Sequence, residues 1–261
     1  MARLIDLNSD LGESYGPWQM GDDGALLEVV TSANIACGAH ASDPETMFRT
    51  LTLARERGVV AGAHPGFADR EGFGRRLIPH TLGEVERLVA TQVGALMGAA
   101  ALVGTPVRFV KTHGALGNWA AAEPDVAAAV ARAVRAVSPE LALLAISGTA
   151  LDRAGREAGL PTFSEIFADR GYLSNGQLVP RSRPDAMLHD PEEAAGRLIR
   201  FLETGLMPVV DGAPIPLEAT SVCVHGDSPG AVAMAQHIRR RLNEAGITVA
   251  PFLAPAAAAA A

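Results

Sequence analysis

The stretch ANIACGAHASDPETMFRTLTLARERGVVAGAHPG, residues 33–66, carries the fold in one reading. It opens on a short apolar run, Ala33–Ala36, and nears its end on another, Val59–Ala63. Between them, Asp43-Pro44-Glu45 is a helix start. The Asp side chain can cap free backbone N–H groups, the proline has a fixed φ that suits the first helical position, and the acid favours the first turn. Gly58 stands where that helix should stop. The unit is strand, helix, strand, and both strands are short and apolar, as strands buried on both faces are. Both strands also run into similar chemistry: Cys37-Gly38-Ala39-His40 after the first and His64-Pro65-Gly66 after the second.

The same unit recurs outward from this stretch. Further candidate strands are Leu4–Leu7, Val107–Lys111, Leu141–Ile146, Thr162–Phe167 and Ser221–Val224. Helix starts are readable at Asp190-Pro191-Glu192, at Ser228-Pro229 and in the capping-box pattern Thr81-Leu-Gly-Glu84; Gly159 and Gly246 mark stops. Alternating β and α elements imply a parallel sheet with helices outside. A closed or nearly closed barrel is expected ahead of an open doubly wound sheet. About seven strands with no break in composition predict one domain over residues 1–253. The Ala/Pro tail at 254–261 is expected to be disordered and without function. Residues 169–188 read as a longer excursion, with Asn175-Gly176 turning a small hairpin.

The composition excludes several classes. The chain has 261 residues, a formal charge of −7 and two cysteines, Cys37 and Cys223, with no CxxC pair. A disulfide scaffold is therefore out, and the acidic balance argues against a nucleic-acid surface. The N-terminus lacks a signal-like apolar run, so a cytoplasmic location is expected. Leu88–Val107 is uncharged over 20 residues, the length of a membrane span, but its Gly, Thr, Gln and Pro content reads as a buried helix running into a turn. Gly94 and Gly98 within it would allow close helix packing rather than membrane dimerisation. Neither GxGxxG nor a Walker A loop is present, which disfavours dinucleotide and P-loop folds.

Polar residues gather where strands end. Asn8-Ser9-Asp10-Leu11-Gly12-Glu13 follows the first strand, Asn34 and His40 belong to the second, and His64 follows the third. Lys111-Thr112-His113 follows the fourth, Glu165 and Asp169-Arg170 the sixth, and His225 the last. Ligands bind at the carboxyl ends of strands in barrels and open α/β sheets alike. One histidine after a strand is usually structural; four in equivalent places, His40, His64, His113 and His225, point to a site. His80, His189 and His237 read as surface or packing residues. Asp10, His40 and His64 could form a carboxylate/two-histidine set for Zn²⁺ or a related ion. The alternative is a metal-free acid/base site, with Lys111 offering positive charge to a developing oxyanion. Lys111 reads as an electrostatic clamp rather than a nucleophile, and Cys37 as a small buried hydrophobe. The loop Asp69–Arg76 reads as mobile, with arginines including Arg75 able to close on a carboxylate, or else as a solvated charged loop.

At these residues the chain resembles the LamB/YcsF family. The resemblance is carried by Asp6-Leu-Asn-Ser-Asp-Leu-Gly-Glu13, Thr31-Ser-Ala-Asn-Ile-Ala-Cys-Gly38, Gly62-Ala-His-Pro-Gly66, Gly72-Phe-Gly-Arg-Arg76, Lys111-Thr-His-Gly-Ala-Leu116, Phe167-Ala-Asp-Arg170, Leu178-Val-Pro-Arg-Ser182 and Val224-His-Gly-Asp-Ser-Pro-Gly230. It implies a distorted seven-stranded parallel β/α (TIM-like) barrel, similar to the glycoside hydrolase/deacetylase superfamily. It implies one component, the A subunit, of an ATP-dependent 5-oxoprolinase, a hydrolase opening the lactam of 5-oxo-L-proline to L-glutamate with partner subunits B and C. ATP would be used through the assembled complex, with Mg²⁺, and the missing phosphate loop fits that division. The superfamily's deacetylases hold a metal with an Asp-His-His set, which Asp10, His40 and His64 match. The expected catalytic residues are Asp10, His40, His64, Lys111 and His113: Asp10 with His40 or His64 activates water, while Lys111 and His113 stabilise negative charge. Asn8, Glu13, Asn34, Arg75, Glu165, Asp169, Arg170 and His225 are expected to bind substrate. The chain departs from the family pattern at Ser9, where cysteine is usual, and at Thr112 and Gly117, where proline and tyrosine are common. The competing expectations are a stand-alone metal-dependent amidohydrolase or deacetylase, and a non-catalytic scaffold within the complex. Neither nucleic acid nor membrane is expected as a partner.

Overall fold

The computed structural model describes residues 3–227 and 230–254. In chain order the elements are β1 (Arg3–Leu11), α1 (Asp23–Leu27), β2 (Ser32–Ala36), α2 (Pro44–Arg57), β3 (Val60–His64), α3 (Leu82–Val103), β4 (Phe109–Val110), α4 (Gly114–Ala122), α5 (Pro124–Val137), β5 (Ala142–Ile146), α6 (Ala150–Glu157), β6 (Thr162–Phe167), α7 (Pro191–Thr204), β7 (Leu206–Met207), β8 (Ile215–Pro216), β9 (Ser221–Cys223), α8 (Ala231–Glu244) and β10 (Ile247–Val249). Seven strands pair in parallel in the order β1-β2-β3-β4-β5-β6-β9, and β9 returns to β1, which closes the barrel. β10 adds to the first residues of β1, and β7 with β8 forms a separate antiparallel pair.

The helix starts read from sequence are built as expected. Asp43 caps α2 through Thr46 N with Pro44 at the first turn, Asp190 caps α7 ahead of Pro191, and Thr81 with Glu84 forms a reciprocal capping box on α3. The Ser228-Pro229 start and residues 255–261 of the tail lie outside the described residues. Asn175-Gly176 does turn a small hairpin, closed by the Leu173–Gln177 hydrogen bond and the antiparallel Tyr172–Leu178 bridge.

Three expectations change. β1 does not stop at Leu7 but continues to Leu11, because its polar residues alternate inward while Ile5, Leu7 and Leu11 alternate outward into the core. α3 begins at Leu82 and buries only one stripe, Val85, Val89, Gln92, Val93, Leu96, Ala100 and Val103, against its neighbours α2 and α5. It is the one helix among the described residues long and apolar enough to cross a membrane, and its outer face is open, with Leu102 80% exposed. Gly94 and Gly98 lie on that open side, where an added Cβ would meet nothing within 4 Å, so they do not mediate close packing.

The main core fills the shell between strands and helices, with Leu7, Ile35, Ala63, Val110, Leu143, Ile166 and Val222 supplied by the outward strand faces. Each fully buried Leu, Ile or Val side chain contributes roughly 1.5–3 kcal/mol. A second, small cluster of Val60, Phe109, Ala142 and Leu144 sits on the inward faces, and Phe252 packs against it 5.1 Å from the Phe109 ring. Gly62 makes room for it: a Cβ there would lie 2.3 Å from Phe109 ring atoms. The rest of the lumen is polar, and that lumen leads to the site.

Candidate active site

Inward residues of different strands meet across the lumen. Asn8 donates from Nδ2 to Ser221 Oγ (2.7 Å) and Glu165 Oε2 (3.3 Å). Asn34 donates to Asn8 Oδ1 (2.7 Å) and Asp10 Oδ1 (2.8 Å). Lys111 reaches in from the end of β4, its Nζ 3.2 Å from Asn8 Oδ1, 3.1 Å from Asp10 Oδ1, 3.1 Å from Glu165 Oε2 and 3.0 Å from Cys223 Sγ. Burial alone would lower the Lys111 pKa, but Asp10 and Glu165 outweigh it and hold it well above the usual range. Lys111 therefore stays charged, which suits a clamp and not a nucleophile. Burial would likewise raise Asp10, yet His64 and Lys111 hold it well below the carboxylate range. Glu165 is raised by burial against the pull of Lys111.

Above this network three histidines and two carboxylates converge. His64 Nδ1 lies 2.8 Å from the Lys111 carbonyl, and His113 Nε2 lies 2.8 Å from the Phe73 carbonyl. A carbonyl only accepts, so each of those ring nitrogens carries the proton. The remaining nitrogens, His64 Nε2 and His113 Nδ1, then face each other at 3.0 Å with lone pairs. Asp10 Oδ1 lies 3.4 Å from the first, and Glu13 Oε1 lies 3.6 Å from the second. His40 stacks on His113 with centroids 3.7 Å apart and holds Glu13 Oε1 at 3.1 Å through Nε2. Its buried Nδ1 has no partner among the described residues. Burial pushes both His40 and His113 well below the usual range, aided by the charge of neighbouring histidines, while burial and Asp10 push Glu13 well above.

The facing lone pairs of His64 Nε2 and His113 Nδ1 are relieved by a shared proton or by a cation between them. Asp10, His64 and His113 can present ligand atoms within 4.8 Å of one another, as can Glu13, His40 and His113. This N/O set, with ring N–H groups anchored on carbonyls, fits a divalent ion of the zinc class. The expected trio Asp10, His40 and His64 is not one of those groups. His113 replaces His40 beside Asp10, and His40 belongs with Glu13.

The cavity above the strand ends has a volume of about 440 Å³. Asp10, His64, Lys111, His113, Arg75, Glu165, Arg170 and His225 all reach its wall. Asn8, Glu13, Asn34, His40 and Asp169 do not; they hold residues that do. Asp169 illustrates this: its carboxylate lies 2.8 Å from His225 Nδ1, which fixes the tautomer and leaves Nε2 for the cavity. Burial would raise Asp169, but His225 draws it below its usual value. His225 also stacks on Phe167 at 5.3 Å. Arg170 is buried and donates to the carbonyls of Ala186 and Val179, pinning the 169–188 excursion over the barrel mouth.

The Asp69–Arg76 loop is tied to the barrel at several points, while Arg70, Glu71 and Arg76 remain exposed to solvent. Asp69 is buried and pairs with Arg76, and Phe73 supplies the carbonyl that orients His113. Gly74, at φ 62°, passes so close to the histidines that a Cβ would lie 2.8 Å from His40 and 2.9 Å from His113. Of its arginines, Arg75 alone reaches the cavity, paired with Asp227 at 2.6 Å. Arg70 donates instead to the Gly38 carbonyl. His80 and His237 bond Ile78 and Glu192 away from the site, as expected of bystanders. Cys37 is buried, its thiol pushed up to about 12 by burial. Ser9 donates to the Val224 carbonyl, whereas Thr112 and Gly117 line the cavity.

Among the wall and lumen residues to which the sequence reading assigned no role are Cys223 and Arg181. Cys223 touches Lys111 and lies two residues before His225, so period-two counting along β9 would have found it. Arg181 lines the cavity from the excursion, where no strand pattern points to it.

A closed β/α barrel with a charged lumen and a histidine/carboxylate cluster at its carboxyl rim defines a hydrolase-like catalytic barrel. The chain belongs to the LamB/YcsF family, whose model matches residues 5–257. It is 53% identical over 248 residues to the A subunit of 5-oxoprolinase from Azorhizobium caulinodans, covering 95% of this chain and 98% of that relative. It is 51% identical over 245 residues to the protein of the same name from Chloroflexus aggregans, covering 94% and 97%. The crystal structure of the lactam utilization protein from Thermus thermophilus superposes with a TM-score of 0.89 at 41% identity, covering 95% of this chain and 99% of that one.

Proposed function

We propose that this chain is the A subunit of an ATP-dependent 5-oxoprolinase, a cytoplasmic hydrolase that opens the lactam of 5-oxo-L-proline to L-glutamate. The observation that carries the reading is the charged Lys111 beside an ionised Asp10 at the floor of the cavity, in a chain whose relatives bear that name. Asp10, with His64 beside it, takes a proton from water, and the resulting hydroxide adds to the ring carbonyl carbon. Lys111 faces the oxygen on which charge develops. The proton taken from water passes on to His225, whose Nε2 is free to accept it while Nδ1–H donates to Asp169, and His225 gives it to the ring nitrogen as the C–N bond breaks. The carbonyl carbon becomes the side-chain carboxylate of glutamate and the nitrogen becomes its amine. His113 presents a lone pair toward His64, so it is not assigned the oxyanion-stabilising role expected for it. Glu13, His40 and His113, or Asp10, His64 and His113, are the sets that would hold a divalent ion, which would supply a bound water of lowered pKa and polarise a carbonyl.

A five-membered lactam is a stabilised amide, and its hydrolysis needs coupling near neutral pH. ATP, with Mg²⁺, is therefore assigned to the complex with subunits B and C, consistent with the missing phosphate loop. The test is glutamate release from 5-oxoproline by this chain combined with its partners and ATP, using Asp10→Asn and Lys111→Ala. Loss of turnover in both is expected; wild-type rates in both would overturn the assignment. The histidine/carboxylate cluster favours one competing reading, a stand-alone metal-dependent amidohydrolase. That reading requires turnover by the isolated chain without ATP.

A further inference from the structure

Four cationic side chains line the cavity: Arg75, Lys111, Arg170 and Arg181. Three are committed to the protein itself. Lys111 is shared among Asn8, Asp10, Glu165 and Cys223. Arg170 is spent on two backbone carbonyls, and Arg75 on Asp227. Arg181 differs. Its guanidinium forms no hydrogen bond or ion pair among the described residues. The charges that act on it come from farther away: Arg75 repels it, and Asp227, Asp169 and Asp10 attract it without touching it.

The cavity is polarised as a result. Asp10 and Glu165 form part of its wall beside Lys111, and Arg181 stands on the excursion with Val179 and Pro180. Arg181 is a solvent-exposed residue of the cavity wall, and in a chain of net charge −7 its guanidinium, without a counter-ion among the described residues, is open to an external anion. The carboxylates beside Lys111 repel a negative group, and Arg181 attracts one. The planar guanidinium fork matches a carboxylate with two parallel N–H···O bonds.

We infer that Arg181 is the specificity-determining residue of this site and binds the carboxylate of the lactam substrate, which turns the ring carbonyl toward Lys111 and Asp10. The inference rests on the lactam-opening reading for the identity of the substrate. The oxyanion chemistry it recognises is shared by carboxylates and phosphates, and the experiment separates them.

The experiment uses the full chain assembled with its partners. Binding and steady-state turnover are measured for wild type, Arg181→Gln and Arg181→Lys, with 5-oxoproline, with 2-pyrrolidinone, which lacks the carboxylate, and with inorganic phosphate. Wild type is expected to prefer 5-oxoproline over 2-pyrrolidinone. Arg181→Gln is expected to weaken 5-oxoproline binding by about 10- to 100-fold, mostly in KM, and to leave 2-pyrrolidinone unchanged. Arg181→Lys, which keeps the charge but loses the fork, is expected to fall between. Equal binding of the two lactams by wild type, undetectable 5-oxoproline binding, or an unchanged KM in Arg181→Gln overturns the inference. Arg181-dependent binding of phosphate in place of 5-oxoproline overturns the carboxylate assignment. Asp10→Asn separates the two proposals. If it keeps full turnover while Arg181→Gln loses affinity, the mechanism fails and the anion site stands.

Discussion

Asp6 tests whether the lumen of the barrel is a low-dielectric interior. It is fully buried, and its carboxylate accepts from Thr31 Oγ1 (2.7 Å), Ser32 Oγ (2.7 Å) and the Ser221 hydroxyl. Burial pushes its pKa up from 3.8 to about 6, against the three hydroxyls and Lys111, which pull it down. The folded state therefore holds the proton more tightly than the unfolded chain does. The stability this adds is complete below pH 3.8 and is lost as pH rises through about 6. The full difference corresponds to about 3 kcal/mol, of which about 1.4 kcal/mol falls between pH 5 and pH 7.5. Against a domain stability of roughly 5–15 kcal/mol, that change is measurable. The perturbation is Asp6→Asn, which keeps the shape and removes the titration. Urea unfolding of both proteins at pH 5 and pH 7.5 gives the stability of wild type relative to the variant at each pH. Because other titrating groups are common to both proteins, the relative stability isolates Asp6. Wild type should lose about 1.4 kcal/mol relative to Asp6→Asn on going from pH 5 to pH 7.5. A relative stability that is flat across that range, or that rises with pH, would refute a desolvated Asp6.

Lys111→Met should lower turnover of the assembled enzyme by about 100-fold or more and destabilise the chain by about 3–5 kcal/mol, because Asp10 and Glu165 lose their shared counter-charge; steady-state kinetics and thermal unfolding check the two parts. Asp169→Asn should reduce kcat by about 100-fold while the fold is kept, since the amide no longer fixes the His225 tautomer; a kcat within a few-fold of wild type would remove His225 from the mechanism. Elemental analysis of chain purified with zinc present should find a bound ion that is lost in His64→Ala/His113→Ala, and an equal ion content in both would disprove the ligand set. Gly62→Ala should cost about 1–3 kcal/mol through the clash with Phe109, and Phe109→Leu in the same chain should recover part of it.

What the sequence disclosed, and what it hid, follows from one property of a closed parallel barrel. Elements under the helices follow familiar rules: Asp43-Pro44 and Thr81-Glu84 start helices because a free helix terminus needs those partners wherever it occurs. The lumen obeys a different rule. Asp6, Asn8 and Asp10 look like the end of a strand, yet they are its inward face, satisfied by Ser32, Asn34, Lys111 and Ser221 from other strands. Those partners lie 24 to 215 residues away along the chain, so local reading has no access to them. The strand-end rule did bring His64, Lys111, His113, Glu165 and His225 to one cavity, since parallel strands put their carboxyl ends on one rim.

His40 marks where that rule stops. It follows β2 much as His64 ends β3, but His40 turns beneath Gly74 to hold Glu13 and does not reach the cavity wall. The loop that covers it begins beyond β3, and its Phe73 carbonyl fixes the proton on His113. Exchange of the partners expected for His40 and His113 is therefore decided by a loop contact and not by the strands. Arg181 is a second case of the same kind: its place on the wall is set by the Asn175-Gly176 hairpin and by the Arg170 bonds to the Val179 and Ala186 carbonyls. Strand periodicity thus selects which residues can face the rim, and the loops laid over the rim select which of them face a substrate.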